Sequence, residues 1–289
     1  SDAAARMRLR ILEANREAAR LYHKALYSPE GQVALDYFHR RGYTDATIRH
    51  FGLGFAPGGS YLLRNLRSKG FHPEELTAGF LVGKNRDSGR LYDIFRNRVI
   101  IPIIDIRGNV VAFGGRVLDD SKPKYINTES TPAYSKSRNL FALNFAKSAG
   151  RELNLCEGYM DAIAMHQAGF TNTVAALGTA FPDEQIQLIA RYADRINLIF
   201  DADGAGQKAT ARAIERLRKT GLDVRVVSIP DGKDPDEFIK RNGAEAFKLL
   251  LERSANAVEH QLLAIGQRHD IQTTNGKIAY LKDAVAVLA

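Results

Sequence analysis

The sequence is nearly without cysteine. Its 289 residues contain one, Cys156, which excludes an intramolecular disulfide and any zinc site built from several thiolates. Long apolar runs are missing too, since none approaches the ~20 residues that a membrane-spanning helix needs. The opening stretch, "SDAAARMRLRILEANREAARLYHKAL", carries charge throughout with a helical period, so it does not read as a signal peptide. Internal repeats and low-complexity tracts are absent. The histidines, His23, His39, His50, His72, His166, His260 and His269, show no ligand spacing. What remains is a globular protein of a reducing cytosol, with one large domain or two to three modest ones.

What is present is charge, unevenly spread. The net charge is +8, and residues 84–147 carry 12 Lys/Arg against 6 Asp/Glu, whereas residues 152–243 carry 11 against 14. The first segment suits an anionic polymer and the second suits cations. Leu9, Leu12, Leu21 and Leu26 recur among polar residues over 3–27 and predict an amphipathic helix. Ser28 and Pro29 open a second helix that stops at Gly42, and Thr44 opens a short third. The runs "LYDIF", "VIIPII" and "VVAFGGRVL" are rich in β-formers; the turn signal "DIRGN" makes the last two a hairpin, and "KYIN" is a further strand. From residue 152 strands and helices alternate: "ELNLC", "YMDAIAMHQAG", "NTVAALG", "PDEQIQLIARYA", "RINLIF", "AGQKATARAIERLRKTG", "DVRVVSI". Four strands with crossover helices predict a parallel sheet, in a chain that is α/β there and α+β overall. The residues after Gly243 read as helical.

Acidic clusters fall at three of those strand ends. Glu157 and Asp161 follow the first strand, Asp201 and Asp203 the third, and Asp231, Asp234 and Asp236 the fourth. The carboxyl ends of parallel strands share one edge, so the clusters are expected to converge. Carboxylates brought together repel and raise one another's pKa, and a divalent cation resolves the conflict; hard oxygen ligands suit Mg2+ or Mn2+. Each piece alone is weak. The stretch "DADGAGQKATAR" has no glutamate at the twelfth position of a calcium loop, and a lone "EGYMD" reads equally as acids placed at a helix N-terminus. Cys156 reads as a small buried hydrophobe.

With these residues in view, "EGYMD", "DADGAG" and "GKDPDEF" resemble the three motifs of a Toprim domain. The segments "RNRVIIPIIDIRGNVVAFGGRVL", "PKYINTEST" and "YSKSRNLFALNFAK" resemble the catalytic core of the bacterial replicative primases (DnaG type), and the resemblance spans essentially the whole chain. It implies a basic α/β subdomain over 1–147 for template and nucleotide, a Toprim metal-binding catalytic domain over 148–242, and a helical subdomain over 243–289. It further implies a DNA-directed RNA polymerase that makes short RNA primers on single-stranded DNA from NTPs, by nucleotidyl transfer dependent on Mg2+ or Mn2+. Glu157, Asp201 and Asp203 take the catalytic and metal-binding positions, and Asp161, Asp234 and Asp236 are further metal-binding acids. Arg41, Arg96, Arg98, Arg116, Lys124 and Lys136 match the basic positions that hold nucleotide and DNA. Tyr125 and Tyr134, between lysines, are able to stack on bases, although single aromatics are more often packing residues.

The same resemblance places zinc only in an N-terminal module and the replicative helicase at a C-terminal module, both expected to be missing. The expected core is monomeric, carries an RNA–DNA hybrid product, and works at replication forks on the bacterial nucleoid in the cytoplasm. The alternative is a Toprim-type nuclease or a topoisomerase-related protein that cleaves phosphodiesters, although a topoisomerase needs a nucleophilic tyrosine in a separate DNA-cleavage domain.

Overall fold

Helix α1 (Asp2–Leu26) buries Ile11, Ala14, Ala18, Tyr22, Ala25 and Leu26, which recur at three- and four-residue spacing along one face. This is not the stripe that the leucines predict: Leu9 is 56% exposed, and Leu12 and Leu21 are only partly buried. The seam is made of alanines because the helix backbone must come close to strand β1 (Gly54–Ala56). A Cβ on Gly54 would lie 2.8 Å from the backbone of Tyr22. The computed structural model describes residues 2–178, 182–200, 211, 213–230 and 234–288. Helices α2 (Gln32–Arg40) and α3 (Asp45–His50) follow, the latter capped by the Thr44 hydroxyl as its sequence predicts. Helices α4 (Tyr61–Ser68) and α5 (Pro73–Ala78) and the small hairpin β2 (Val82–Lys84)–β3 (Leu91–Asp93) complete this layer.

The expected hairpin is β4 (Arg98–Ile104) and β5 (Val110–Val117), and the Asp105 carboxylate closes its turn by accepting the N–H groups of Arg107 and Asn109, both at 2.9 Å. With β6 (Tyr125–Asn127) they form an antiparallel sheet in the order β1-β4-β5-β6. Pro102 is tolerated because β1 pairs with β4 only as far as Ile100, so at Pro102 the strand has a single neighbour.

A second sheet holds the expected parallel strands β7 (Glu152–Cys156), β8 (Thr173–Ala175), β9 (Arg195–Ile199) and β10 (Asp223–Val226) in the order β10-β9-β7-β8. A two-residue antiparallel strand, β11 (Ala255–Asn256), adds to the β10 edge. It is too short to leave a pattern in the sequence. Helix α6 (Leu143–Ala146) leads into this sheet. Helices α7 (Tyr159–Gln167), α8 (Asp183–Tyr192), α9 (Pro235–Asn242), α10 (Ala244–Glu252), α11 (Ala257–Arg268) and α12 (Thr274–Leu288) accompany it. The chain leaves β7 toward β8 on one side and returns to β9 on the other, so the topological switch point lies between the carboxyl ends of β7 and β9.

The two sheets are joined by more than chain connectivity. Phe141 exchanges two backbone hydrogen bonds with Ala175 at the open edge of β8 (2.9 and 3.1 Å), closing that edge. Gln185 of α8 donates to the carbonyl of Lys136 at 2.8 Å. One apolar cluster contains Phe51 and Val111 of the first half together with Tyr159, Ile163 and Leu177 of the second. Among the described residues no helix is long and apolar enough to cross a membrane.

Candidate active site

The two halves meet where the basic edge of the first sheet faces the switch point of the second. A pair of glycines makes this possible. A Cβ on Gly114 would lie 2.7 Å from the hydroxyl of Tyr159, and one on Gly115 would lie 2.6 Å from the Phe95 ring. The dipeptide before Arg116 therefore lets the first turn of α7 rest on one face of β5 while Phe95 and Arg98 pack on the other. Tyr159 then hydrogen-bonds Asn127 of β6 and sits 6.3 Å, ring to ring, from Tyr125.

Around that contact the structure gathers several of the expected basic residues. Arg116 projects toward two aromatic faces, 5.1 Å from the Tyr37 ring and 5.9 Å from the Tyr125 ring. One of its terminal nitrogens donates to the Val117 carbonyl at 3.0 Å, while its Nε is buried without a partner. Arg41 lies in the turn between α2 and α3. Gln167 of α7 grips that turn, donating to the Gly42 carbonyl and accepting from the Thr44 N–H at 2.8 Å each; the Tyr43 hydroxyl donates to the Met160 carbonyl at 2.7 Å. Arg41 donates to Asp236 of α9 at 3.3 Å, and its Nε, like the Tyr37 hydroxyl, is buried and unpartnered. Burial opposes charge on Arg41, but Tyr43, Tyr37 and Asp236 outweigh it and hold the guanidinium above its ordinary pKa. Burial pushes the Tyr43 and Tyr125 phenols up, so both remain neutral donors at neutral pH.

The other basic positions stand differently. Arg98 is 6% exposed and commits its guanidinium to three backbone carbonyls, those of Gly115 (3.3 Å), Lys124 (3.2 Å) and Pro123 (2.8 Å). It pins the segment that presents Lys124, itself exposed, next to β6. Arg96 is exposed with its guanidinium 5.5 Å above the Tyr92 ring. Lys136 is half-buried in the 3-10 turn that Gln185 holds. Tyr134, 4% exposed, is a packing residue in the shared apolar cluster. Tyr37 has no place in the sequence-based site; its signal is the spacing Tyr37–Arg41, one turn apart on α2 and its exit, which is ambiguous without the partner strand.

The acids divide into three groups. Glu157 follows β7 directly, and Asp161 lies in the first turn of α7, its carboxylate turned back toward Gly158, where an added Cβ would meet it at 3.5 Å. Asp234 caps α9, accepting the Glu237 N–H at 2.8 Å. Asp236 is buried and takes hydrogen bonds from Arg41 and from Lys240 at 2.7 Å, so its charge is met by protein cations. Asp201, Asp203 and Asp231 lie outside the described residues; Asp201 follows Phe200, the residue after β9 at the switch point. Among the described residues no three His, Cys, Asp or Glu side chains come together tightly enough to hold a metal ion. Glu157, directly after β7, and Asp161, in the first turn of α7, are donors of the hard type that Mg2+ or Mn2+ takes, and a complete set needs the β9 acids.

A parallel sheet with acids at its switch point is the class of site that a Toprim domain defines, and the Toprim-like family matches residues 154–239. The DNA primase catalytic core, N-terminal domain family matches residues 21–147. The DNA primase of Clostridium acetobutylicum is 43% identical over 283 residues, which are 96% of this chain and 47% of that protein. The DNA primase of Pseudomonas aeruginosa is 40% identical over 94% of this chain and 42% of its own length. The chain thus spans about half the length of the curated relatives it matches. Among solved structures, a DnaG primase catalytic domain bound to single-stranded DNA superposes with a TM-score of 0.86 at 32% identity, covering 98% of this chain and 93% of that one. The RNA polymerase domain of Mycobacterium tuberculosis primase DnaG gives 0.86 at 34% identity, covering 96% and 92%. The chain belongs to the DnaG primase catalytic-core family.

Proposed function

We propose that this chain copies single-stranded DNA into short RNA primers by joining NTPs. The observation that carries the reading is the packing of Gly114, two residues before Arg116 on β5, against Tyr159 in the first turn of α7, the turn that also holds Asp161 and follows Glu157. One sheet edge supplies cations for phosphates, and the other supplies carboxylates for a divalent ion. Glu157, Asp201 and Asp203 would hold Mg2+ or Mn2+, with Asp161 and Asp234 beside them. When bound, such an ion lowers the pKa of an attacking hydroxyl and neutralises charge on a departing pyrophosphate. Arg116 and Arg41 would orient the triphosphate, and Lys124 and Arg96 would hold the template backbone. Asp236 does a different task in this reading from that of a ligand, fixing the Arg41 guanidinium through its terminal nitrogen.

The test is incubation of the chain with a single-stranded template, labelled NTPs and Mg2+ or Mn2+. Short RNA products that depend on template and metal are expected. Cutting of the DNA with no RNA made would support the phosphodiester-cleaving alternative instead.

A further inference from the structure

Helix α8 buries Gln185 beside Ile186 and Ile189, and Gln185 is 0% exposed. A buried amide costs stability unless it is bonded, so an apolar residue would serve a packing face better. The Gln185 amide nitrogen donates to the carbonyls of Lys136 at 2.8 Å and Asn139 at 3.3 Å, while its Oε1 is buried without a partner. The polar group on this packing face therefore answers to one loop, and that loop belongs to the other half of the molecule.

The loop needs support from outside. Between β6 and α6 the chain forms no regular element beyond the 3-10 turn Lys136–Arg138. Inside the turn, the Asn139 N–H reaches the Lys136 carbonyl only at 3.4 Å, and the Asn139 side chain donates to the Ser135 carbonyl at 2.8 Å. The 2.8 Å bond from Gln185 is thus the stronger hold on the Lys136 carbonyl.

Topology fixes where this turn stands. Gln185 lies in the first turn of α8, the helix that follows β8, and so on the carboxyl side of the parallel sheet. Farther along the loop, Phe141 exchanges its two backbone hydrogen bonds with Ala175, the last residue of β8. Ala175 is in turn the register partner of Cys156, the residue before Glu157. The Lys136 turn and Glu157 therefore belong to one sheet edge. We propose that Gln185 is a positioning residue, which fixes the turn that presents Lys136 to the phosphates of the incoming nucleotide. Wholly buried, Gln185 touches no substrate and acts through the loop backbone. The proposal rests on the reading of this edge as a site of primer synthesis.

The test is primer synthesis at varied NTP on a saturating single-stranded template. Wild type, Gln185→Met, Lys136→Ala and the double variant are compared, with melting temperatures and with template affinity from the anisotropy of a fluorescent oligonucleotide. Methionine is unbranched and fills the space of glutamine without a donor, so Gln185→Met should fold. It should raise the KM for NTP about fivefold, the scale of one lost hydrogen bond, and leave kcat in place. Lys136→Ala should raise KM about tenfold, the scale of a charge-assisted bond, and the methionine should add nothing further in the double variant. A wild-type KM in Gln185→Met overturns the proposal, whatever its melting temperature. Effects that multiply in the double variant overturn action through Lys136. Weaker template binding by Gln185→Met with KM for NTP unmoved overturns the assignment to the nucleotide. If the wild type makes RNA and Lys136→Ala keeps its KM, the proposal falls while the functional reading stands. No RNA from the wild type brings down both.

Discussion

Arg98 on β4 and Arg116 on β5 are both arginines in β-rich, glycine-containing surroundings, and the sequence assigns them the same work. The structure separates them. Arg98 is bonded to three carbonyls, whereas Arg116 keeps a buried Nε free between two tyrosines. Arg98→Ala should therefore cost about 2 kcal/mol of stability in urea unfolding, because charge-assisted hydrogen bonds are lost and buried carbonyls are orphaned. Arg116→Ala should instead lower the salt slope of DNA or NTP binding by about 0.7 with a smaller stability loss. If the two variants exchange these phenotypes, the division is wrong. Asp236 was likewise legible only as an acid: its partner Arg41 lies 195 residues away, a distance no spacing rule reaches. Asp236→Ala leaves Arg41 partly buried without its counter-charge and should cost about 3 kcal/mol, with a raised KM for NTP, measured by unfolding and by initial rates.

At the scale of elements, periodicity carried the parallel strands and the β4–β5 hairpin, since each has a clear apolar pattern and a turn chemistry of its own. The alanine seam of α1 and the two-residue β11 escaped it, the one because close backbone approach favours small residues and the other because it is set by its neighbour. Helix α7 contains a further feature invisible in the sequence. His166, 7% exposed, is hydrogen-bonded at Nε2 to the Thr173 carbonyl at 2.7 Å, with the Phe51 ring 5.3 Å away. Burial lowers its pKa below the ordinary 6.5, with His50 nearby acting in the same direction. Above pH 6.5 neither state takes up the proton. Below it the unfolded chain binds a proton that the folded one resists, so stability falls as pH drops toward the folded-state value. His166→Gln should flatten the decline of melting temperature between about pH 7 and about pH 5. An identical decline in the variant would assign it to other groups, of which half-buried His260 is one.

Across the whole molecule, the proposed division of labour, nucleic acid on the first half and metal on the second, follows the charge asymmetry between residues 84–147 and 152–243. What it cannot convey is how the halves are joined. Phe141 on the β8 edge, Gln185 on the Lys136 turn and Tyr159 on Gly114 are long-range contacts that turn two surfaces into one cleft. The central claim is that this cleft joins nucleotides on a template, using the acids at the switch point. It is tested most directly by primer synthesis with labelled NTPs and Mg2+ by the wild type, Glu157→Gln and Asp201→Asn. The account predicts short template-dependent RNA from the wild type and a loss of about 100-fold or more in both variants, as expected when the groups that hold and activate the reactants are removed. Full synthesis by both variants would contradict it.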